Sequence, residues 1–181
     1  MQTKVSPILF AIFVLFLFQS VLLSCKPNSS NNRNQPTKEE VENVLIDVNI
    51  LMNEAETQKI SDFIERHGWD MSDTGTGLKY MIYVQGSGPE VQSNDIVSIN
   101  YSVWLLTGEL IYSSRDKGVK SFRVGRGGVE SGLEEGILLL RVGDRARFIM
   151  PSHLAHGFLG DGAKIPKRAA ILYDIELVDI K

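Results

Sequence analysis

Cysteine is nearly absent from the sequence, since Cys25 is the only one among its 181 residues. A single cysteine excludes an intramolecular disulfide and any zinc site that needs two thiolates. The chain also lacks a basic excess, because 19 Lys and Arg stand against 22 Asp and Glu, whereas nucleic-acid-binding proteins usually carry surplus positive charge. With 43% apolar and 23% charged residues, the composition is that of a globular protein, not of a disordered or multi-pass membrane chain.

The first 24 residues are typical of an export signal. Lys4 is their only charged residue, and the unbroken apolar run of residues 8–18 has the length of a secretory apolar region, about 7–15 residues, rather than the roughly 20 of a spanning helix. Cys25 follows Leu22-Leu23-Ser24, which resembles a bacterial lipobox, where the leader is cleaved and the cysteine thiol carries diacylglycerol. The alternative is an uncleaved anchor with a chance cysteine.

Lipidation of Cys25 predicts where the protein is held. Several acyl chains on one cysteine anchor a protein stably, so we expect a lipid-anchored protein of the cell envelope. The next residue is Lys26 rather than the Asp that commonly retains enteric lipoproteins in the inner membrane, and by this resemblance the outer membrane, facing the periplasm, is favoured. Residues 26–36 contain no large apolar side chain, so residues 25–36 are predicted to be the lipidated cysteine and a flexible tether.

Residues 37–77 are predicted to form an N-terminal helical segment. Thr37 and Glu40 fit a capping box, and apolar residues then recur at spacings of three and four, which predicts a helix over about 38–66, with a break near Asn53 left open. The apolar stripe has two interpretations: it packs on the protein's own domain, or it forms a homodimer or binds an envelope partner. Its residues are Val41, Val44, Leu45, Val48, Leu51, Met52, Ile60, Phe63 and Ile64.

From Leu78 onward, apolar residues recur at every second position. This alternation predicts antiparallel strands with one buried face, and a single short helix over about residues 131–138 interrupts them. The predicted fold class is therefore α+β, with five or six antiparallel strands wrapped on one helix. The strands are expected near residues 78–85, 97–105, 109–113, 122–124, 145–150 and 171–177.

Common catalytic motifs are missing from this region. There is no Walker loop, and residues 125–130 begin a glycine-rich dinucleotide pattern but have Glu130 in place of the third glycine. His153 and His156 lack a nearby third metal ligand. We therefore expect neither a metal nor a cofactor.

Short motifs spread over residues 78–181 carry a family resemblance. In chain order they are Asp95–Tyr101, Thr107–Glu109, Tyr112–Asp116, Phe122–Gly125, Ser131–Ile137, Val142–Ala146, Ala155–Gly157, Ile165-Pro166 and Tyr173–Leu177. Their order and spacing resemble the FKBP-type peptidyl-prolyl cis-trans isomerase domain. The resemblance implies a half-barrel fold, non-covalent catalysis of rotation about X-Pro bonds, and proline-containing polypeptides as substrates.

The resemblance also implies a pocket of ten residues on this half-barrel. Some line the reacting bond and the others hold the substrate. Catalytic roles are implied for Tyr101, Tyr112, Val129, His156 and Tyr173, and substrate-binding roles for Ile111, Phe122, Glu130, Leu133 and Ile165.

Several of these positions depart from the family pattern, and together they predict weaker catalysis and weaker macrolide binding. His156 replaces a tyrosine that donates to a substrate carbonyl, and an imidazole N–H can donate there too. Glu130 replaces an aliphatic residue whose backbone N–H is used, so we expect its side chain to contribute little. Elsewhere the substitutions are Ile111 for phenylalanine, Tyr112 for aspartate, Leu133 for tryptophan and Tyr173 for phenylalanine.

Two functions follow from the sequence. The first is a lipid-anchored peptidyl-prolyl isomerase that assists the folding of exported or envelope proteins, because X-Pro rotation limits the folding of many chains. The alternative is a catalytically weak or inactive binding module of an envelope or gliding-motility assembly. The combination of leader, helix and domain also resembles the gliding-motility-associated lipoproteins of Bacteroidetes-type bacteria. No nucleic-acid partner is expected.

Overall fold

A computed structural model describes residues 36–181, so the predicted leader, Cys25 and the tether up to residue 35 lie outside the described residues. The first element is helix α1, Lys38–His67. Its start is the predicted capping box: the Thr37 backbone N–H donates to Glu40 Oε2 at 2.7 Å, and the Glu40 N–H donates to Thr37 Oγ1 at 3.2 Å. The helix continues through Asn53 without a break and ends at His67, and the next residue, Gly68, has a φ of +62° that suits glycine.

Within residues 36–181, seven strands form one antiparallel sheet: β1 Ser72–Asp73, β2 Lys79–Val84, β3 Ile96–Leu105, β4 Leu110–Ser113, β5 Lys120–Arg123, β6 Arg145–Met150 and β7 Ile171–Ile180. Their order in the sheet is β1-β2-β6-β7-β3-β4, with β5 paired to β3. The long strands β3 and β7 pair along most of their length, from Val97 opposite Ile180 to Leu105 opposite Ile171.

In the described part of the chain the remaining helical elements are short: α2 Ser114–Lys117, α3 Ser131–Ile137 and a 3₁₀ turn, Ser152–Leu154. Helix α3 approaches the sheet closely because it carries a glycine there. A Cβ added to Gly136 would lie 2.7 Å from the Phe148 ring, so any side chain would force the helix away. The α+β architecture with α3 against an antiparallel sheet confirms the predicted fold class. The two-residue strand β1, α2 and the 3₁₀ turn are too short to produce a sequence period and were not predicted.

The last part of α1 packs on the opposite face of the sheet. Ile60 and Phe63 are buried against Ile149 and Leu172, which alternate with the residues of β6 and β7 that face α3. Earlier in the helix the apolar stripe faces solvent, and Leu51 is 63% exposed. The helix therefore packs on its own domain through its last turns and leaves the apolar residues from Leu45 to Met52 open.

Candidate functional site

The predicted pocket residues meet on the concave face of the sheet, around α3. Four of them are buried in its core, and four more pack against that core from the side. Glu130 and His156 join the same group, because the Tyr173 hydroxyl donates to the Glu130 carboxylate and His156 lies beside that carboxylate. The buried four are Ile111, Leu133, Ile165 and Tyr173, and the flanking four are Tyr101, Tyr112, Phe122 and Val129.

Two tyrosines and a leucine form the inner wall. The rings of Tyr101 on β3 and Tyr173 on β7 lie 6.1 Å apart with an interplanar angle of 38°. Leu133, in the first turn of α3, is completely buried beneath this region of the core. Aromatic and aliphatic walls of this kind exclude water from a bound group.

One side chain in this otherwise apolar wall, that of Glu130, is a carboxylate. Glu130 precedes α3 directly, and its side chain is only 10% exposed. The Tyr173 hydroxyl donates to Glu130 Oε1 at 2.9 Å, and His156 Nε2 lies 3.1 Å from the same oxygen. Within the described residues Oε2 accepts no hydrogen bond, and Lys120 Nζ stands 3.6 Å from it. The sequence predicted little contribution from the Glu130 side chain, whereas the structure places this side chain inside the protein beside three neighbours.

The neighbours of Glu130 decide its charge. Burial acts to raise the pKa of Glu130, but Lys120, its own backbone N–H, Tyr173 and His156 together lower that pKa below the usual range. The carboxylate is thus ionised at neutral pH. Burial, reinforced by this negative charge, raises the pKa of the Tyr173 hydroxyl, which therefore remains a proton donor throughout the physiological range.

Tyr112 reaches across to the loop that precedes β7. Its hydroxyl donates to Asp161 Oδ2, while Asp161 Oδ1 accepts the backbone N–H groups of Ala163, Lys164 and Ile165 at 2.8–2.9 Å. One carboxylate therefore holds the tight turn that places Ile165 in the core. Burial acts to raise the pKa of Asp161, but Tyr112 and these N–H groups outweigh it and lower the pKa to about 2.

This turn predicts a specific dependence of stability on pH. Because the pKa of Asp161 is lower in the folded protein than the value of about 3.9 in an unfolded chain, its contribution is complete above that value. The contribution is lost as the pH falls towards 2. Urea unfolding of wild type and Asp161→Asn should give a free-energy difference that is constant above pH 5 and shrinks between about pH 4 and pH 2. A difference independent of pH would contradict this assignment.

The comparisons with known proteins agree with this geometry. Residues 88–178 match the family model described as FKBP-type peptidyl-prolyl cis-trans isomerase. The chain belongs to this family. The crystal structure of AtFKBP13 is 30% identical, with a TM-score of 0.60, and the match covers 62% of this chain and 100% of that one.

Bacterial relatives in the FKBP-type family are longer than this chain. A probable FKBP-type isomerase of Haemophilus influenzae is 32% identical over 114 residues, covering 62% of this chain and 46% of the relative. FkpA of Aeromonas hydrophila is 30% identical over 179 residues, covering 91% of this chain and 66% of the relative. The chain thus spans about half to two thirds of the length of these relatives.

Two residues of this FKBP-type pocket were missed in the sequence. Lys120 lies on β5 two residues before Phe122, and strand alternation alone would have placed both on one face. Asp161 lies between Gly160 and Gly162, a turn signal in which an aspartate commonly accepts backbone N–H groups. Among residues 36–181, no group of three or more His, Cys, Asp or Glu is arranged to hold a metal ion. In the same range, every helix is too short or too polar to cross a membrane.

Proposed function

We propose that the protein catalyses cis–trans isomerisation of X-Pro bonds in other polypeptides. The observation that supports this is the joint placement of Tyr101, Phe122, Leu133, Ile165 and Tyr173 around one concave core. A peptide bond resists rotation by about 18–20 kcal/mol because of its resonance. Twisting the bond removes this resonance and places less charge on the oxygen, so an apolar cavity favours the twisted amide over the planar one.

The chemistry requires no nucleophile and no cofactor. Walls that exclude water select the twisted shape of the amide, and a few N–H donors hold its carbonyl groups. Val129, in the segment that leads into α3, offers backbone groups for this purpose. The imidazole of His156 is already engaged with Glu130, so an incoming carbonyl has to compete for it.

A protease-free fluorescence assay with a prolyl peptide tests the proposal on the chain beginning at Lys26. Wild type is expected to accelerate isomerisation, and Tyr101→Ala is expected to lose tenfold or more in kcat/KM because one aromatic wall is removed. Val178→Ala, an exposed change on β7, is the matched control. Failure of a well-folded wild type to accelerate the reaction would reject the isomerase.

The second candidate is a binding module that binds a proline-containing loop without isomerising its X-Pro bond efficiently. The charged Glu130 within the wall favours it, since a carboxylate there is a poor lining for a twisted amide. Peptide binding measured by calorimetry without any acceleration in the fluorescence assay would identify this function.

The proposed site of action is the cell envelope, with the protein anchored in the outer membrane through a lipidated Cys25. The support is the sequence alone: a leader-like segment followed directly by the only cysteine. In that compartment the isomerase would assist the folding of exported or envelope proteins, and the binding module would belong to an envelope or gliding-motility assembly. Cys25→Ser should move the protein from the membrane to the soluble fraction, and tight membrane retention would reject lipidation.

We further propose that the exposed first part of α1 forms a homodimer or docks an envelope partner. Leu45 and Leu51 are exposed at 57% and 63%, although both belong to the apolar stripe. Light scattering decides between one copy and two. A monomeric wild type, or a dimer unaffected by Leu45→Asp with Leu51→Asp, would reject the dimer.

A further inference from the structure

We infer that α1 positions the loop that forms one wall of the pocket, and that Glu56 and Arg168 are the positioning residues. This loop, residues 152–168, carries His156 and Ile165 to the concave face. The inference rests on the proposed function, because the wall matters only if the pocket receives a prolyl substrate. None of the contacts that carry it depends on the residues named as walls of the pocket.

Glu56 holds the beginning of the loop from the side of α1. Its Oε1 accepts the Ser152 backbone N–H at 2.8 Å, and its Oε2 accepts the Ser152 hydroxyl at 2.9 Å. Ser152 is 8% exposed, so both hydrogen bonds are shielded from water, where bonds to a charged group are strongest. The Ser152 carbonyl in turn accepts the Gly157 N–H at 2.7 Å and closes the turn that presents His156. Two consecutive hydrogen bonds through Ser152 therefore connect Glu56 to Gly157, the residue that follows His156.

Arg168 holds the end of the same loop. Its backbone N–H donates to the Gly157 carbonyl at 2.9 Å, and its guanidinium donates to Asn49 Oδ1 at 2.8 Å. The guanidinium also contacts Met52 Sδ and lies 4.1 Å above the Phe158 ring. The backbone φ of Arg168 is +55°, an unfavourable conformation for arginine that persists only where its surroundings hold it.

The core itself does not require these contacts. The concave core is built from residues between Leu78 and Leu177, and α1 packs on the other face of the sheet through Ile60 and Phe63. Glu56 and Arg168 instead link α1 to a segment that has little regular structure apart from its first 3₁₀ turn. A loop of this kind opens locally at low cost unless side chains tie it down. The contacts therefore act on the shape of the pocket more than on the stability of the fold.

The test compares three variants of Glu56 and Ser152 with a control on the same helix. Glu56→Ala removes both hydrogen bonds, Glu56→Gln keeps one acceptor, and Ser152→Ala removes only the hydroxyl contact from the loop side. Glu54→Ala is the matched control, because Glu54 is an exposed glutamate two residues away. Each protein is measured for kcat and KM with a prolyl peptide, for hydrogen exchange of the Ser152 and Gly157 amides, and for thermal unfolding.

We expect Glu56→Ala to lower kcat/KM about tenfold and to speed exchange of the Ser152 and Gly157 amides about tenfold, at a temperature where the protein is fully folded. Glu56→Gln should recover part of both losses, and Ser152→Ala should show a smaller loss that is not additive with Glu56→Ala. A merely structural role would lower the melting temperature and leave kcat/KM and the local exchange unchanged.

Two results would overturn the inference. The first is a kcat/KM for Glu56→Ala within twofold of wild type with unchanged exchange of the two amides. The second is an equal loss in Glu54→Ala, which would assign the effect to the helix as a whole. If wild type itself shows no catalysis, the proposed function fails, while the exchange of Ser152 and Gly157 still decides whether Glu56 holds the loop.

Discussion

Replacing Glu130 and Tyr173 together, as Glu130→Ile with Tyr173→Phe, is expected to raise kcat/KM for X-Pro isomerisation by about tenfold or more. A prolyl substrate that enters the wild-type pocket must cover an ionised carboxylate that is already 90% buried. Excluding the remaining water from that charge costs free energy in the bound ground state and in the transition state alike, and therefore lowers kcat/KM. A tenfold change corresponds to about 1.4 kcal/mol of transition-state free energy, which lies within the usual cost of about 1–3 kcal/mol for burying one unpaired polar group.

The single variants should behave differently from the double variant. Tyr173→Phe leaves Glu130 buried without its hydroxyl donor, and Glu130→Ile leaves the Tyr173 hydroxyl without its acceptor at 2.9 Å. Each is expected to lower the free energy of unfolding by about 1–3 kcal/mol. The double variant replaces both hydrogen-bonding partners by apolar groups, and Lys120 and His156 are partly exposed and can turn to water, so it should be nearly as stable as wild type. The pair is therefore expected to show a strong coupling energy in a double-mutant cycle.

Urea unfolding and the fluorescence assay on the four proteins measure both effects. Tyr80→Phe is the matched control for loss of a tyrosine hydroxyl, because Tyr80 packs partly buried against the same core. Tyr80 is only partly buried, so the change should be nearly neutral. A double variant that is less active than wild type would show that Glu130 takes a positive part in catalysis.

The direction of the Glu130 side chain shows what the sequence could and could not predict. Strand alternation predicted the buried face of β3, where Val97, Ile99 and Val103 are all at most 1% exposed. A residue just before a short helix has no such period. Glu130 turns inward because Tyr173, His156 and Lys120 surround it, and these come from three other parts of the chain.

The same limit applies to the contacts between α1 and the pocket loop. The spacing of Ile60 and Phe63 predicted an apolar helix face, which does pack on the domain. The hydrogen bonds that Ser152 donates to Glu56 join residues 96 positions apart. Glu56 lies among other glutamates of an ordinary solvated helix, and no local pattern distinguishes it. Only the way the chain returns to α1 after β6 brings the two residues together.

Leu133→Ala is expected to combine a large loss of stability with a loss of substrate binding, whereas Ile137→Ala should lose stability alone. Both side chains are completely buried in α3 and lie four residues apart on one face of it. Each truncation is expected to lower the free energy of unfolding by about 2–5 kcal/mol, through lost burial and the cavity left behind. Leu133 lies three residues after Glu130, beside the pocket wall, and Ile137 lies one turn further away.

Comparing Leu133→Ala with Ile137→Ala distinguishes a role of Leu133 in substrate binding from a role in core packing alone. Kinetics are measured well below the melting temperature of the weaker variant, so that every sample is folded. Leu133→Ala should then raise KM for a prolyl peptide about tenfold, because the truncation leaves a cavity in the surface expected to contact the prolyl ring. The KM of Ile137→Ala should stay within about twofold of wild type. Equal losses in both variants would assign Leu133 to the core alone. The substrate would then rest on Tyr101, Phe122 and Ile165, and the leucine at this position would only support the helix beneath them.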